Sequence, residues 1–288
     1  MAHHTELLII DAQNDFCDLP EAWCASDPLT GRRILPALPV PGAHTDLLRL
    51  AGFVDRAAAQ IDGITVTLDA HPRHHIAHPG CWRGGDGTPP APFTTITAAQ
   101  VRAGAFSPVQ AAEHARTLAY LDALQAAGRY TLMVWPVHCQ LGSWGQGLHA
   151  AVLAACNAWE DGRHTAVRVV AKGSYPWSEH YSALQAEVPA AGEPSTALNR
   201  RLLDRLDQAD TLLIAGQASS HCVKATVEHL VEHLPSHRPQ RLVLLTDCMS
   251  PVAGFEPQAA AFLAAMRALG VQTLNQQQAA SRLLSGAP

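Results

Sequence analysis

Residues 211–230, TLLIAGQASSHCVKATVEHL, decide how the chain is to be read. TLLIAG is apolar without helical spacing and ends at Gly216, the mark of a short buried strand. CVKATVEHLVEHL then sets Val223, Val227, Leu230, Val231 and Leu234 at helical spacing, with Ser219 or Ser220 as the expected N-cap. Cys222 therefore falls in the first turn of a helix, where unpaired backbone N–H groups and the positive end of the helix dipole favour an anion. That position is expected to lower the thiol's pKa and make Cys222 a nucleophile. The plainer role is a small buried side chain filling a strand–helix junction.

Strands of the same kind recur outward from this stretch. ELLIID, GITVTLDAH, YTLMVWPVH, TAVRVVAKG and RLVLLTD read as strands, with VQTL a candidate last one. Helical spacing is found near residues 44–60, 111–127, 147–160, 197–208, 221–234 and 257–269. Such alternation builds βαβ units and predicts a three-layer α/β fold, a mostly parallel central sheet with helices on both faces. Two stretches interrupt it, near residues 17–42 and 78–109, both rich in Pro and Gly and too long for ordinary connections. Each is followed at once by another βα element. They are therefore expected to be functional flaps of a single domain spanning 1–288.

Composition narrows the function classes. With 288 residues, 48% of them hydrophobic, the chain can bury a sizeable core as one unit. A net charge of -5 gives no electrostatic case for nucleic acid or an anionic membrane surface. Seven scattered cysteines with no CxxC pair fit reduced thiols in a cytosol. A strand begins within a few residues of the N-terminus, leaving no room for a secretory leader, and no apolar run is long enough to span a bilayer. A cytoplasmic protein is expected.

In open α/β sheets the ligand lies beyond the carboxyl ends of the strands, so the polar residues there are the ones to collect. The first strand ends at Asp11, the second in Asp69-Ala70-His71, the third in Trp135-Pro136-Val137-His138-Cys139 and the fourth in Lys172-Gly173. The fifth leads to Cys222. A cysteine nucleophile, an aspartate that takes its proton and returns it to a leaving group, and a lysine that stabilises the thiolate make a chemically coherent trio. Singly, Asp11 reads as a turn cap and Lys172 as a solvated strand end; three suitable types at strand ends are harder to dismiss.

Taken together, IIDAQNDFC, DAHPRHH, WPVHC, AKG followed by SEHYSAL, and GQASSHCVKAT resemble, in order, the motifs of the nicotinamidase/isochorismatase-like cysteine hydrolases, the nicotinamidases above all. The resemblance runs from residue 5 to about residue 250 and implies the isochorismatase-like hydrolase fold. It implies a catalytic triad of Asp11, Lys172 and Cys222, and metal ligands Asp69, His71 and His138. It also implies a cis peptide at Gln217–Ala218, with the Ala218 and Cys222 N–H groups forming an oxyanion hole. A divalent metal ion is implied as cofactor. Residues two apart on a strand share a face, so Asp69 and His71 can reach one ion, and His138 can join them from a neighbouring strand. Mixed carboxylate and imidazole ligands suit zinc first, with manganese or iron as alternatives. His75 is a candidate fourth ligand, with His74 and His78 competing for that place among sixteen histidines.

The chain also departs from the family's pattern. Its flaps make it longer, Ala70 stands where an aromatic is common, and ASSH precedes Cys222 where a Thr and an acidic residue are more usual. These departures bear on the substrate more than on the reaction. The reaction expected is hydrolysis of a small amide through a thioester at Cys222, with nicotinamide going to nicotinate and ammonia. Alternatives are another amide or ureide of the maleamate, ureidoacrylate or biuret type, and, from another class, a non-catalytic metal or small-molecule binder. Phe16 and Trp135 match the ring-contacting aromatics of nicotinamidases, while Tyr175, Trp177 and Tyr181 are expected near the pocket mouth. By resemblance the chain is expected to form a homo-oligomer.

Overall fold

The computed structural model describes residues 3–285. A six-stranded parallel sheet runs through the molecule in the order β10-β9-β8-β1-β2-β7. Its strands are β1 (Thr5–Ile10), β2 (Gly63–Asp69), β7 (Arg168–Lys172), β8 (Thr211–Gly216), β9 (Leu242–Leu245) and β10 (Gln272–Leu274). Strand β1 is central and is buried along its whole length. Its side chains alternate between faces, as period-two geometry requires. Leu8 and Ile10 join one apolar cluster, and Leu7 and Ile9 join the other. The first cluster is closed by α3 (His114–Ala127), α5 (Arg200–Leu206), α6 (Cys222–His233) and α7 (Glu256–Ala268). The second is closed by α1 (Ala43–Ala57), α4 (Ala150–Arg163) and α8 (Gln276–Leu284). The three layers expected from the alternation of elements are present.

The YTLMVWPVH segment does not behave as expected. Only β6 (Leu132–Val134) is extended, and it pairs antiparallel with β4 (Thr94–Ile96) outside the main sheet. The neighbours of β2 are β1 and β7. His138 therefore does not come from an adjacent strand of the sheet. Its segment instead turns alongside the end of β2 through a single bridge, His71 N–H to Cys139 O at 3.1 Å and Leu141 N–H to His71 O at 2.9 Å. Period-two spacing identified the extended segment but carried no information about its partner.

The second flap holds structure of its own. β3 (Trp82–Gly84) pairs with β5 (Phe106–Pro108), and the short α2 (Ala98–Arg102) sits on a Thr97/Gln100 capping box. The first flap stays irregular but is tied down. Asp18 accepts from the N–H groups of Gly42 (2.7 Å) and His44 (2.8 Å), meeting donors that the first turn of α1 leaves unpaired. Asp15 accepts from Ala37 N–H at 3.0 Å and from Cys139 N–H at 2.7 Å, fastening the flap to the turn that carries His138.

Candidate active site and metal centre

The carboxyl ends of β1, β2, β7 and β8 bring Asp11, Asp69, Lys172 and Cys222 together. Strand pairing sets this register: Ile10 lies opposite Gly216, and Asp69 opposite Lys172. Gly216 is required there. Its φ is 122°, and a Cβ would fall 1.9 Å from Ile10 O. The Gln217–Ala218 bond that follows is cis, as the resemblance implied. Helix α6 starts at Cys222, but its N-cap is His221, with no side-chain cap. Ser220 instead pairs its hydroxyl with His221 Nδ1 at 2.9 Å and accepts from Val252 N–H. Ser219 is buried and its N–H donates to Ser250 O, so neither serine caps the helix.

Lys172 is the hub. Its Nζ lies 2.9 Å from Asp11 Oδ2, 2.5 Å from Asp69 Oδ1, 2.9 Å from His180 O and 3.7 Å from Cys222 Sγ. Asp11, Asp69 and Cys222 also bring ligand-type atoms within 4.8 Å of one another. An ammonium among them makes this an ion cluster and not a second metal site. Burial opposes charge on Lys172, but Asp11, Asp69 and Cys222 outweigh it and hold the amine protonated. Burial likewise pushes the Asp11 carboxyl up against the pull of Lys172. Asp69 is buried too, yet Lys172 and His71 carry its carboxyl below the usual range.

The Cys222 thiol does not follow the expectation from its helix position. Burial pushes it well above the ordinary thiol value, Lys172 pulls the other way, and Asp11 adds to the rise. Fully buried beside two carboxylates, the thiol keeps its proton until a base removes it. Asp11, whose own affinity for a proton is raised, is the group in place to do so.

Asp69, His71 and His138 present ligand atoms that all lie within 4.8 Å of one another. His71 Nδ1–H donates to Gly173 O at 2.9 Å. His138 Nδ1–H donates to Pro136 O at 2.8 Å. A carbonyl can only accept, so each ring carries a proton on Nδ1 and turns Nε2 toward the site, the orientation a metal ligand needs. Burial opposes charge on His71, but Asp69 outweighs it and favours the protonated ring, so a cation must displace that Nε2 proton. Burial pushes His138 down to about 3, keeping it neutral. Asp69 Oδ2 faces His71 Nε2 at 3.4 Å while its Oδ1 holds Lys172. Gly173 has no side chain because the His71 ring passes close: a Cβ would meet its Cε1 at 2.6 Å. Together these donors fit a divalent cation. His75 lies outside the set; its ring packs 4.4 Å from that of His71, centroid to centroid.

Above Cys222 lies a cavity of about 20 Å³. Phe16, Leu38, Trp135, Tyr181 and His221 form its apolar wall, and Ala218 and Cys222 its floor. Both aromatics expected from the sequence thus face the pocket. The Trp135 ring is fixed by its Nε1–H, which donates to Tyr181 Oη at 3.1 Å. Tyr175 and Trp177 do not reach this pocket and line a separate depression with Arg116 and Tyr120. In an irregular segment no periodicity fixes side-chain direction, so Tyr175 and Trp177 turn away from the pocket that Tyr181 reaches. The Ala218 and Cys222 N–H groups make no hydrogen bond among the described residues.

Of the pocket's carboxylates, one was not singled out in the sequence. Glu179, seven residues after Lys172, lines the polar side with Asp69 and His138. Its Oε2 is buried without a partner, and burial raises its carboxyl. It lies in an irregular stretch, SEHY, where no periodicity says which way a side chain points.

No protein-family model and no curated protein matches the sequence. Solved structures do share the fold. The Acinetobacter baumanii nicotinamidase/pyrazinamidase superposes with a TM-score of 0.62 at 18% identity, covering 96% of this chain and 98% of that one. The yeast nicotinamidase bound to the inhibitor nicotinaldehyde gives 0.61 at 20% identity, covering 94% and 99%. A Pyrococcus horikoshii pyrazinamidase in complex with zinc gives 0.52 at 17% identity, covering 94% and 99%. The three-layer isochorismatase-like α/β fold is therefore the fold of this chain.

Proposed function

We propose that the chain is a metal-dependent cysteine amidohydrolase of the nicotinamidase type, acting through a thioester on Cys222. The observation that carries this reading is the Lys172 ammonium set between the Asp11 carboxylate (2.9 Å) and the Cys222 thiol (3.7 Å) under an aromatic-walled pocket. Asp11 takes the thiol proton as Sγ attacks the amide carbon, which removes the barrier that burial places on the thiolate. The carbonyl oxygen gains charge where the unpaired Ala218 and Cys222 N–H groups can receive it. Asp11 then returns the proton to the amide nitrogen, the C–N bond breaks and ammonia leaves. In the second half Asp11 deprotonates water, which hydrolyses the thioester and restores the thiol.

Asp69, His71 and His138 would hold the metal, zinc by the nature of the donors. When bound, the ion supplies a Lewis-acid anchor for a polar atom of the substrate, such as a ring nitrogen. Asp69 also grips Lys172, so one carboxylate sets the position of both groups. Phe16 and Trp135 supply the apolar faces that a flat heteroaromatic amide needs, which favours nicotinamide over a linear amide. The relatives named for nicotinamide and pyrazinamide support that choice. No helix among the described residues is long and apolar enough to cross a membrane, and we place the protein in the cytoplasm.

The test is ammonia release from nicotinamide, pyrazinamide, maleamate, ureidoacrylate and biuret by the parent and by Cys222→Ala. Turnover of nicotinamide by the parent, reduced to background by Cys222→Ala, is expected. Amide hydrolysis surviving in Cys222→Ala would sink the nucleophile. A linear amide turned over far faster than nicotinamide would sink the ring pocket and leave the triad standing.

A further inference from the structure

We propose that His78 is an additional ligand of the metal held by Asp69, His71 and His138, and that His75 is not a ligand. The inference rests on the metal-site reading above. Both side chains are fully buried, and both Nε2 atoms lack a hydrogen-bond partner. What separates them is the other ring nitrogen.

His75 Nδ1 accepts from the backbone N–H of Ala77 at 3.2 Å. A neutral ring that accepts at Nδ1 carries its proton at Nε2. That nitrogen is then a donor, with no lone pair for a metal. Moving the proton to Nδ1 would set it against the Ala77 N–H. His78 is the reverse case. Its Nδ1 faces Arg73 O at 3.2 Å, and because a carbonyl only accepts, the proton sits on Nδ1. The Nε2 lone pair is left free in a dry interior.

His78 therefore shares the arrangement of His71 and His138. All three rings pin Nδ1–H to a backbone carbonyl, of Gly173, Pro136 and Arg73 in turn; the Nε2 of His71 then faces the Asp69 carboxylate at 3.4 Å, and that of His78 has no partner at all. An outer partner at one nitrogen that orients the other is how metal-bound imidazoles are held. Imidazoles that share an ion at about 2.0–2.1 Å have ring centroids roughly 4.5–5.5 Å apart. The observed separations are 5.0 Å for His71–His138, 5.5 Å for His71–His78 and 5.3 Å for His78–His138. The rings meet at 69°, 83° and 78°. His78 lies outside the set whose ligand atoms are mutually within 4.8 Å, so as a ligand its Nε2 would have to move toward those three atoms. The resulting donors are one carboxylate and three neutral imidazoles, a set that suits zinc.

The experiment is metal binding to the stripped full-length protein, read without activity. Zn²⁺ is titrated against a competing chelator, and Co²⁺ is followed by its visible absorption, which reports coordination. The parent, His78→Gln, His78→Ala, His75→Gln and His138→Ala are compared, each checked for folding by far-UV circular dichroism. Both His78 variants are expected to lose at least tenfold in Zn²⁺ affinity and to shift the Co²⁺ band, while His75→Gln stays within about threefold of the parent. His78 variants that match the parent in affinity and Co²⁺ spectrum overturn the assignment, as does a His75→Gln loss equal to theirs. If His138→Ala also binds like the parent, or the parent binds no Zn²⁺, the underlying site reading fails and takes this one with it.

Discussion

Lys172 shows what a single residue does for the site. Its ammonium contacts both the Asp11 and the Asp69 carboxylates, and all three groups are buried. Breaking a buried pair by removing one partner typically costs about 3–5 kcal/mol, because the remaining charge is left uncompensated. Lys172→Met should therefore lose both activity and stability, read as a lower urea midpoint. A midpoint equal to the parent's would show that the cluster does not hold the sheet ends together. Glu187 makes a separate case. Burial raises its carboxyl to about 7, against the pull of Arg129 at 3.8 Å. A carboxyl raised on folding contributes most below its unfolded value, near 4.5, and that contribution is lost as pH climbs through about 7. Parent stability should fall from pH 5 to pH 8, and Glu187→Gln should remove much of the fall, on the order of 1–3 kcal/mol. Denaturation curves at the two pH values check it; parallel pH trends in parent and variant would refute it. Residue types at strand ends made the triad readable, because Asp11 and Lys172 sit where β1 and β7 stop and Cys222 opens the helix that follows β8. The thiol's proton affinity was not readable, since burial beside Asp11 outweighs the helix start and depends on what surrounds Cys222 in space.

At the scale of elements, periodicity found the long helices α1, α3, α4, α6 and α7 to within a few residues, as well as all six strands of the main sheet. It missed α2, which is short, and α8, whose stretch QQQAASRLL is polar except where it packs. It also put β6 in the wrong sheet, for strand spacing does not name a partner. The first flap looks like plain coil in the sequence, yet Asp18 links it to the start of α1 through two backbone N–H groups. Asp18→Ala should cost about 0.5–2 kcal/mol, as loss of a cap does. It should also speed proteolytic cleavage within residues 17–42. Unchanged stability and unchanged cleavage together would mean the carboxylate does not anchor the flap. The flap matters for binding because Leu38 closes the pocket, and about 20 Å³ holds little more than one water. Admission of an aromatic amide requires this side chain or the His221 wall to move.

For the whole molecule, we propose a homo-oligomer. Light scattering should give a mass that is a multiple of 30.7 kDa at micromolar concentration, and a mass equal to one chain would refute it. Nothing in the sequence pointed to a particular face, because exposed apolar residues such as Leu29, Leu35 and Leu141 are scattered over loops with no period of their own. The order of the sheet has a further consequence, for synthesis. Strand β1 is made first but sits in the middle, and its second edge waits for residues 211–216, more than two hundred residues later. At about 5–20 residues per second, that edge stays open for roughly 10–40 s on the ribosome. Through that interval an apolar strand, TELLII, is exposed with no partner on one side. The nascent chain is then most open to mispairing and most dependent on chaperones, and the active site comes into being only when the last central strand closes over the first.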